Sequence, residues 1–199
     1  RALGVNVEEL TPQVWISPAD ENMAEETFRR AQLPADATIA VCPGAQERYR
    51  IHPHFDRILK EIQGASFVIL GDNRDTAMAQ YLGGALDAPL LDLTGQTTLG
   101  QSLAIIKRCT LVIGSESACA QMAIACHIPH VIIVGGGHFG RFVPYSPLTA
   151  VACTPLPCFG CNWKCRYRSF PCISEIDHRI VTGAVAQTLA ASADRPRIF

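Results

Sequence analysis

No apolar run in this sequence approaches the roughly 20 residues a helix needs to cross a bilayer. The longest, His130 to Gly137, stops after eight residues and reads as a buried strand. No signal peptide is visible, and because the chain starts at Arg1 rather than Met, further sequence is expected upstream. An excess of either charge is missing too. Seventeen Lys and Arg stand against 18 Asp and Glu, for a net charge of −1. That balance removes the electrostatic case for binding nucleic acid or an anionic membrane surface, and the basic residues gather locally only from Lys164 to Arg168. Internal repeats and low-complexity tracts are absent.

What is present suits a soluble globular domain. Of 199 residues, 48% are hydrophobic and 18% charged, enough to bury the core of one α/β domain. Nine cysteines is a high count, but Cys42, Cys109, Cys119 and Cys126 lie inside apolar segments. There they read as small buried hydrophobes of a reducing compartment rather than a disulfide framework, so a cytoplasmic location is expected.

Ser17 followed by Pro18 marks a helix start, and that helix runs to about Ala31. Residues 1–36 therefore read as a linker and N-terminal helix. From residue 37 to 199 the pattern alternates. Strands are expected at Thr38–Cys42, Ser66–Leu70, Pro89–Leu93, Thr110–Ile113 and His130–Val134, with a further one at Thr149–Cys153. Helices are expected at Phe55–Ile62, Asp75–Leu82, Leu99–Lys107 and Ser117–Cys126. A Cys-rich loop, 153–172, leads to a terminal amphipathic helix, 177–190, introduced by a capping-box match at Ser174 and Asp177. Ala193 to Phe199 are expected to fray. Near-continuous apolar strands alternating with helices predict a Rossmann-like parallel sheet with helices on both faces.

The turn after each of the first five strands is small, polar and glycine-bearing. They are Pro43-Gly44-Ala45-Gln46, Gly71-Asp72-Asn73-Arg74, Thr94-Gly95-Gln96-Thr97, Gly114-Ser115-Glu116-Ser117 and Gly135-Gly136-Gly137-His138. A parallel sheet sets all five along one edge, where open α/β folds bind ligands. In the first turn, backbone N–H groups and the nearby Arg50 suit an anion. In the fourth, small residues leave room for a diphosphate or sugar at a helix N-terminus, and Glu116 can accept from sugar hydroxyls or cap the helix. The glycine-rich stretch Gly135 to Gly140 follows the fifth strand rather than the first, with no ribose-binding acid about 20 residues on, which disfavours a dinucleotide oxidoreductase. His138 lies on the same edge, within reach of donor or acceptor.

Taken in order, these elements resemble the C-terminal domain of glycosyltransferase family 9, the ADP-heptose:lipopolysaccharide heptosyltransferase-like proteins, over about residues 38–190. The elements are the Pro43-Gly44 turn with its basic residue, the Gly71-Asp72 turn, Leu93-Thr94-Gly95-Gln96-Thr97-Thr98-Leu99, the Glu116-Ser117 motif, and Ala125 through Pro129 to Val131. The resemblance implies the C-terminal half of a GT-B fold, binding a nucleoside-diphosphate sugar. It assigns Gly44, Ala45, Gln46 and Arg50 to the phosphate-contacting turn. Asp75 falls near the nucleoside, and Glu116, Ser117, Ala118 and Gln121 match an Asp-Ser-Gly-x-x-His signature. Three of those four positions depart from it: Glu for Asp, Ala for Gly and Gln for His. At position 50, Arg stands for the usual Lys.

The resemblance further implies inverting, metal-independent transfer to a glycan or lipid-linked acceptor, from the cytoplasm or the inner face of the inner membrane. The base would lie on an N-terminal Rossmann-like domain, since none matches here; no Asp-x-Asp pair is present to hold a metal diphosphate. A non-catalytic nucleotide-sugar-binding module is the alternative. The thiols of Cys158, Cys161, Cys165 and Cys172 are read, in descending order, as packing groups, structural zinc ligands or a disulfide.

Overall fold

Strand β1 (Thr38–Cys42) shows how the fold is organised. All five of its residues are buried, but their side chains alternate between the two sheet faces. Ile39 and Val41 join the larger apolar cluster, and Ala40 and Cys42 the smaller one on the opposite face. The same holds for β2 (Ser66–Ile69) and β4 (Leu111–Ser115). A strand that is apolar on both faces needs a cover on each, and α-helices supply it. This computed structural model describes residues 12–142, 146–190 and 197–199.

The sheet has seven strands, all parallel, in the order β3-β2-β1-β4-β5-β6-β7, with β3 at Leu90–Asp92, β5 at His130–Ile133, β6 at Thr149–Ala152 and β7 at Arg197–Ile198. After β3 the chain returns to the middle and β4 pairs with the other side of β1. The β1–β4 boundary is therefore the point where the order reverses, and loops diverge there to leave a crevice. Helices α2 (Phe55–Lys60), α3 (Thr76–Ala85) and α7 (His178–Ala190) cover the larger cluster through Phe55, Leu82 and Val181. On the other face α1 (Pro18–Arg30) lays Ala24 and Phe28 against α4 (Leu99–Lys107). Short α5 (Ala118–Ala125) follows β4, and α6 (Pro171–Ser174) precedes α7. The cap expected at Ser17 forms, and a second one that the sequence analysis did not name forms as well. Ser17 Oγ accepts from Asp20 N at 3.1 Å at the start of α1, and Thr98 and Gln101 close a reciprocal capping box on α4.

Three expectations are corrected. The capping box at Ser174 and Asp177 does not form, because Ser174 belongs to α6 and its hydroxyl donates to Ser169 O and Phe170 O instead. Asp177 accepts from Arg179 N at 2.9 Å. The tail is not wholly frayed: Arg197–Ile198 pairs with β6, with Phe199 N donating to Val151 O at 2.8 Å and Cys153 N to Phe199 O at 3.1 Å. Those bonds satisfy an edge that β6 would otherwise expose. Residues 191–196 of that tail lie outside the described residues. Third, the helix expected from Asp75 opens as a 3-10 turn, Asn73–Asp75, before α3 begins.

Candidate functional site

The turns leaving β1 and β4 are tied together before any ligand is considered. Cys42 pairs in register with Gly114. One residue on, the fully buried Ser115 hydroxyl donates to Pro43 O at 2.7 Å. From β1 the chain passes through Gly44, Ala45 and Gln46 into a single 3-10 turn, Arg48–Arg50. That turn carries Arg50 across to the β4 loop, where its Nη2 donates to Glu116 O at 2.7 Å and to the Glu116 carboxylate at 3.2 Å. Residues 66 positions apart in sequence thus form one charged pair, with side chains only 15% and 7% exposed.

Burial pushes the Glu116 carboxyl above its ordinary range, while Arg50 and His138 oppose that shift. Glu116 does not cap α5, because its carboxylate turns to Arg50. The cap position falls to Ser117, whose side chain makes no capping bond. The first N–H groups of α5 therefore face the cleft without a side-chain cap, the arrangement that favours an anion.

Asp75 joins the second turn to the first. Its carboxylate accepts from Asp72 N at 3.0 Å, and a Cβ placed on Gly44 would lie 2.2 Å from Asp75 Oδ1. Only glycine permits that approach. Burial raises the Asp75 pKa, and the Asp72 N–H offsets part of the rise.

A cleft of about 980 Å³ opens over these turns, large enough for a nucleotide-sized ligand. All nine residues expected at the site line it: Gly44, Ala45, Gln46 and Arg50 from the first turn, Asp75 from the second, and Glu116, Ser117, Ala118 and Gln121 from the fourth. Gly95 and Thr97 of the third turn line it as well.

The fifth turn does not. Gly135, Gly136 and Gly137 are covered by the Cys-rich loop, with Phe159 and Trp163 lying directly on their backbone. The three glycines form a seat for aromatic rings rather than a face for ligand. Trp163 lies 26 positions beyond Gly137, so no local signal joined the run to the ring. Arg74 of the second turn also reaches the cleft, as do Met122, Arg141 and Phe142, which the sequence analysis did not single out. Cys42 and Cys119 line it too, and the Cys42 thiol hydrogen-bonds to the Cys119 sulfur, which together with burial holds Cys42 well above its usual pKa.

All nine cysteines are unpaired. Among the described residues no three His, Cys, Asp or Glu side chains gather to hold a metal ion, the loop thiols included. No helix of the described residues is long and apolar enough to cross a membrane.

An open parallel sheet with a ligand-sized cleft at its order reversal defines a Rossmann-like α/β domain of the kind GT-B glycosyltransferases contain. The model of glycosyltransferase family 9 (heptosyltransferase) matches residues 1–168, and the chain belongs to that family. It is 25% identical over 138 residues to lipooligosaccharide heptosyltransferase 2 of Haemophilus influenzae, covering 63% of this chain and 40% of that protein. The fold resembles that of Escherichia coli ADP-heptose lipopolysaccharide heptosyltransferase II, with a TM-score of 0.77 at 19% identity over 95% of this chain and 56% of the other. It also resembles a family 9 glycosyltransferase of Veillonella parvula, with a TM-score of 0.80 at 20% identity over 94% and 57%. The chain spans about half the length of these relatives.

Proposed function

We propose that this chain is the donor-binding half of a heptosyltransferase-like glycosyltransferase, holding an ADP-heptose-like nucleoside-diphosphate sugar. The buried Arg50–Glu116 pair at the β1–β4 reversal carries this assignment. A guanidinium, the turn amides of residues 44–46 and the uncapped start of α5 converge where the diphosphate of such a donor would sit. The named activities of the relatives agree with it.

On donor binding, the Arg50 guanidinium takes a phosphate oxygen as a new acceptor and the α5 amides take another. Both are preorganised donors that stabilise the departing nucleoside diphosphate as its charge develops. Glu116, freed in part from Arg50, accepts from hydroxyls of the sugar, and Gln121 adds hydrogen bonding without a charge that titrates near neutrality. Asp75 holds the second turn against the first and lies towards the nucleoside.

Inverting transfer to a lipopolysaccharide or other surface-glycan acceptor requires a base, which on this proposal belongs to an N-terminal Rossmann-like domain that residues 1–36 join to this one. Chemistry without a metal, carried out in the cytoplasm, is part of the same proposal, as the family resemblance implies. Family membership does not favour the non-catalytic alternative.

Calorimetry with ADP tests the donor site. Arg50→Ala removes charge-assisted hydrogen bonds worth about 1.5–3 kcal/mol, so affinity should fall roughly ten- to hundredfold. Unchanged affinity overturns the phosphate assignment.

A further inference from the structure

The arginine at the centre of the donor site is held from behind by a segment that lines none of the cleft. Tyr49, in the same 3-10 turn as Arg50, stacks on Phe170 with ring centroids 4.1 Å apart and planes 9° from parallel. It also tilts against Trp163 at 5.5 Å. The Arg50 guanidinium itself lies over the Trp163 ring at 5.2 Å from its centroid, and His138 meets the same ring edge-on at 5.6 Å. The ring is fixed in turn by the glycine seat, since a Cβ on Gly137 would lie 2.2 Å from Trp163 Cδ2. Both aromatic partners belong to the Cys-rich region, Trp163 within the loop and Phe170 at its end.

A second observation places the function of this packing at the ligand. Among the described residues, five buried side-chain polar atoms have no partner. Four of them are Arg50 Nε, Glu116 Oε1, His138 Nδ1 and Trp163 Nε1, all within this one cluster. Buried polar groups are ordinarily paired. Arg50 and Glu116 line the cleft, so two of these unspent atoms belong to its wall, and the other two, on His138 and Trp163, lie in the layer packed directly behind it.

We infer that Trp163 is a positioning residue for donor recognition, its indole face holding Arg50 in the orientation that meets the diphosphate. This role presupposes the donor cleft assigned above. A guanidinium on a flexible stem loses rotamer freedom when it grips an anion, and an aromatic platform that restricts it beforehand lowers that loss. The Cys-rich loop thereby becomes part of the site although it lines none of the cleft.

The test is calorimetry with ADP and with adenosine on the wild-type chain, Trp163→Ala, Trp163→Phe, Arg50→Ala and the double variant. Trp163→Ala should weaken ADP roughly three- to thirtyfold, the range of a partly desolvated cation–π contact, and leave adenosine unchanged. Trp163→Phe keeps a ring face and should stay close to wild type. In the Arg50→Ala background, Trp163→Ala should cost nothing further, because the residue it serves is gone.

Normal ADP affinity in Trp163→Ala, with Arg50→Ala impaired, overturns the positioning role and leaves the donor reading standing. Equal loss for ADP and adenosine overturns it as well, by showing general damage to the domain, and so do additive losses in the double variant. Unaltered ADP binding in Arg50→Ala, or no binding by the wild type, removes the donor reading itself. Should Trp163→Ala fail to fold, Trp163→Leu fills the volume without a ring face and is expected to show the same selective loss.

Discussion

Gly137→Ala adds one methyl group to a site that has no room for it. The new Cβ would lie 2.2, 2.3 and 2.7 Å from three atoms of the Trp163 ring, where ordinary contact starts at 3.4 Å. Either the indole retreats by more than an ångström or the β5 turn bends. Retreat disturbs every contact the ring makes, including the Arg50 guanidinium and Tyr49. Overpacking of this kind costs about 1–3 kcal/mol, and a weakened cation–π contact adds about 0.5–1 kcal/mol. A total near 2 kcal/mol corresponds to a Tm lowered by about 4–8 °C for a domain of this size.

Thermal unfolding followed by circular dichroism measures it, and tryptophan emission reports the local change, since the other tryptophan, Trp15, is 86% exposed. Gly183→Ala is the matched control. It lies inside α7 with nothing within 4 Å of its added Cβ, so the same substitution should stabilise the protein by about 0.5–1 kcal/mol. If Gly137→Ala keeps the wild-type Tm and emission spectrum, the ring does not rest on this backbone, and the seat and the clamp fall together.

Two other predictions concern groups away from the cleft. His130 is fully buried on β5, with Nδ1 donating to Ile128 O at 2.8 Å and Nε2 accepting from Thr149 Oγ1 at 2.8 Å. Burial lowers its pKa from 6.5 to about 4. Below pH 6.5 the unfolded chain therefore binds a proton the folded chain refuses, so stability should fall by about 3 kcal/mol between pH 6.5 and 4 and level off below. Urea titrations across that range measure the slope, and His130→Gln should flatten it; an equal slope in the variant discards the assignment. Deleting residues 197–199 removes β7 with its pairing to β6, the two Phe199 backbone bonds beyond it, and both Arg197 contacts to α7. A loss of roughly 1–3 kcal/mol is expected, whereas a frayed tail would cost nothing.

The order of elements was legible because each strand of the sheet interior is a short apolar run bounded by turn residues. Leu99–Lys107 matched its expected bounds to the residue, although the reciprocal cap of Thr98 and Gln101 that starts it emerged only in the structure. The site was legible to the extent that it sits on strand ends: a parallel sheet gathers the turns of β1, β2, β3 and β4 whatever lies between them. The capping box at Ser174 misled because the pattern is local, and the hydroxyl found nearer carbonyls in α6. The tail misled because pairing with β6 depends on an edge formed by residues some 45 positions earlier.

Local chemistry along the chain thus determined most of the strands and helices and the turn residues that gather at the cleft, because periodicity and turn preference act over a few residues. Contacts between segments far apart settled how those residues are used. Arg50 meets Glu116 across 66 positions, and Trp163 reaches back to the turn that bears Arg50. The Gly135–Gly137 run, which resembles a ligand turn by composition, became a seat for two rings. Packing chose between those uses, and it depends on which side chains arrive from elsewhere, a quantity no local pattern carries.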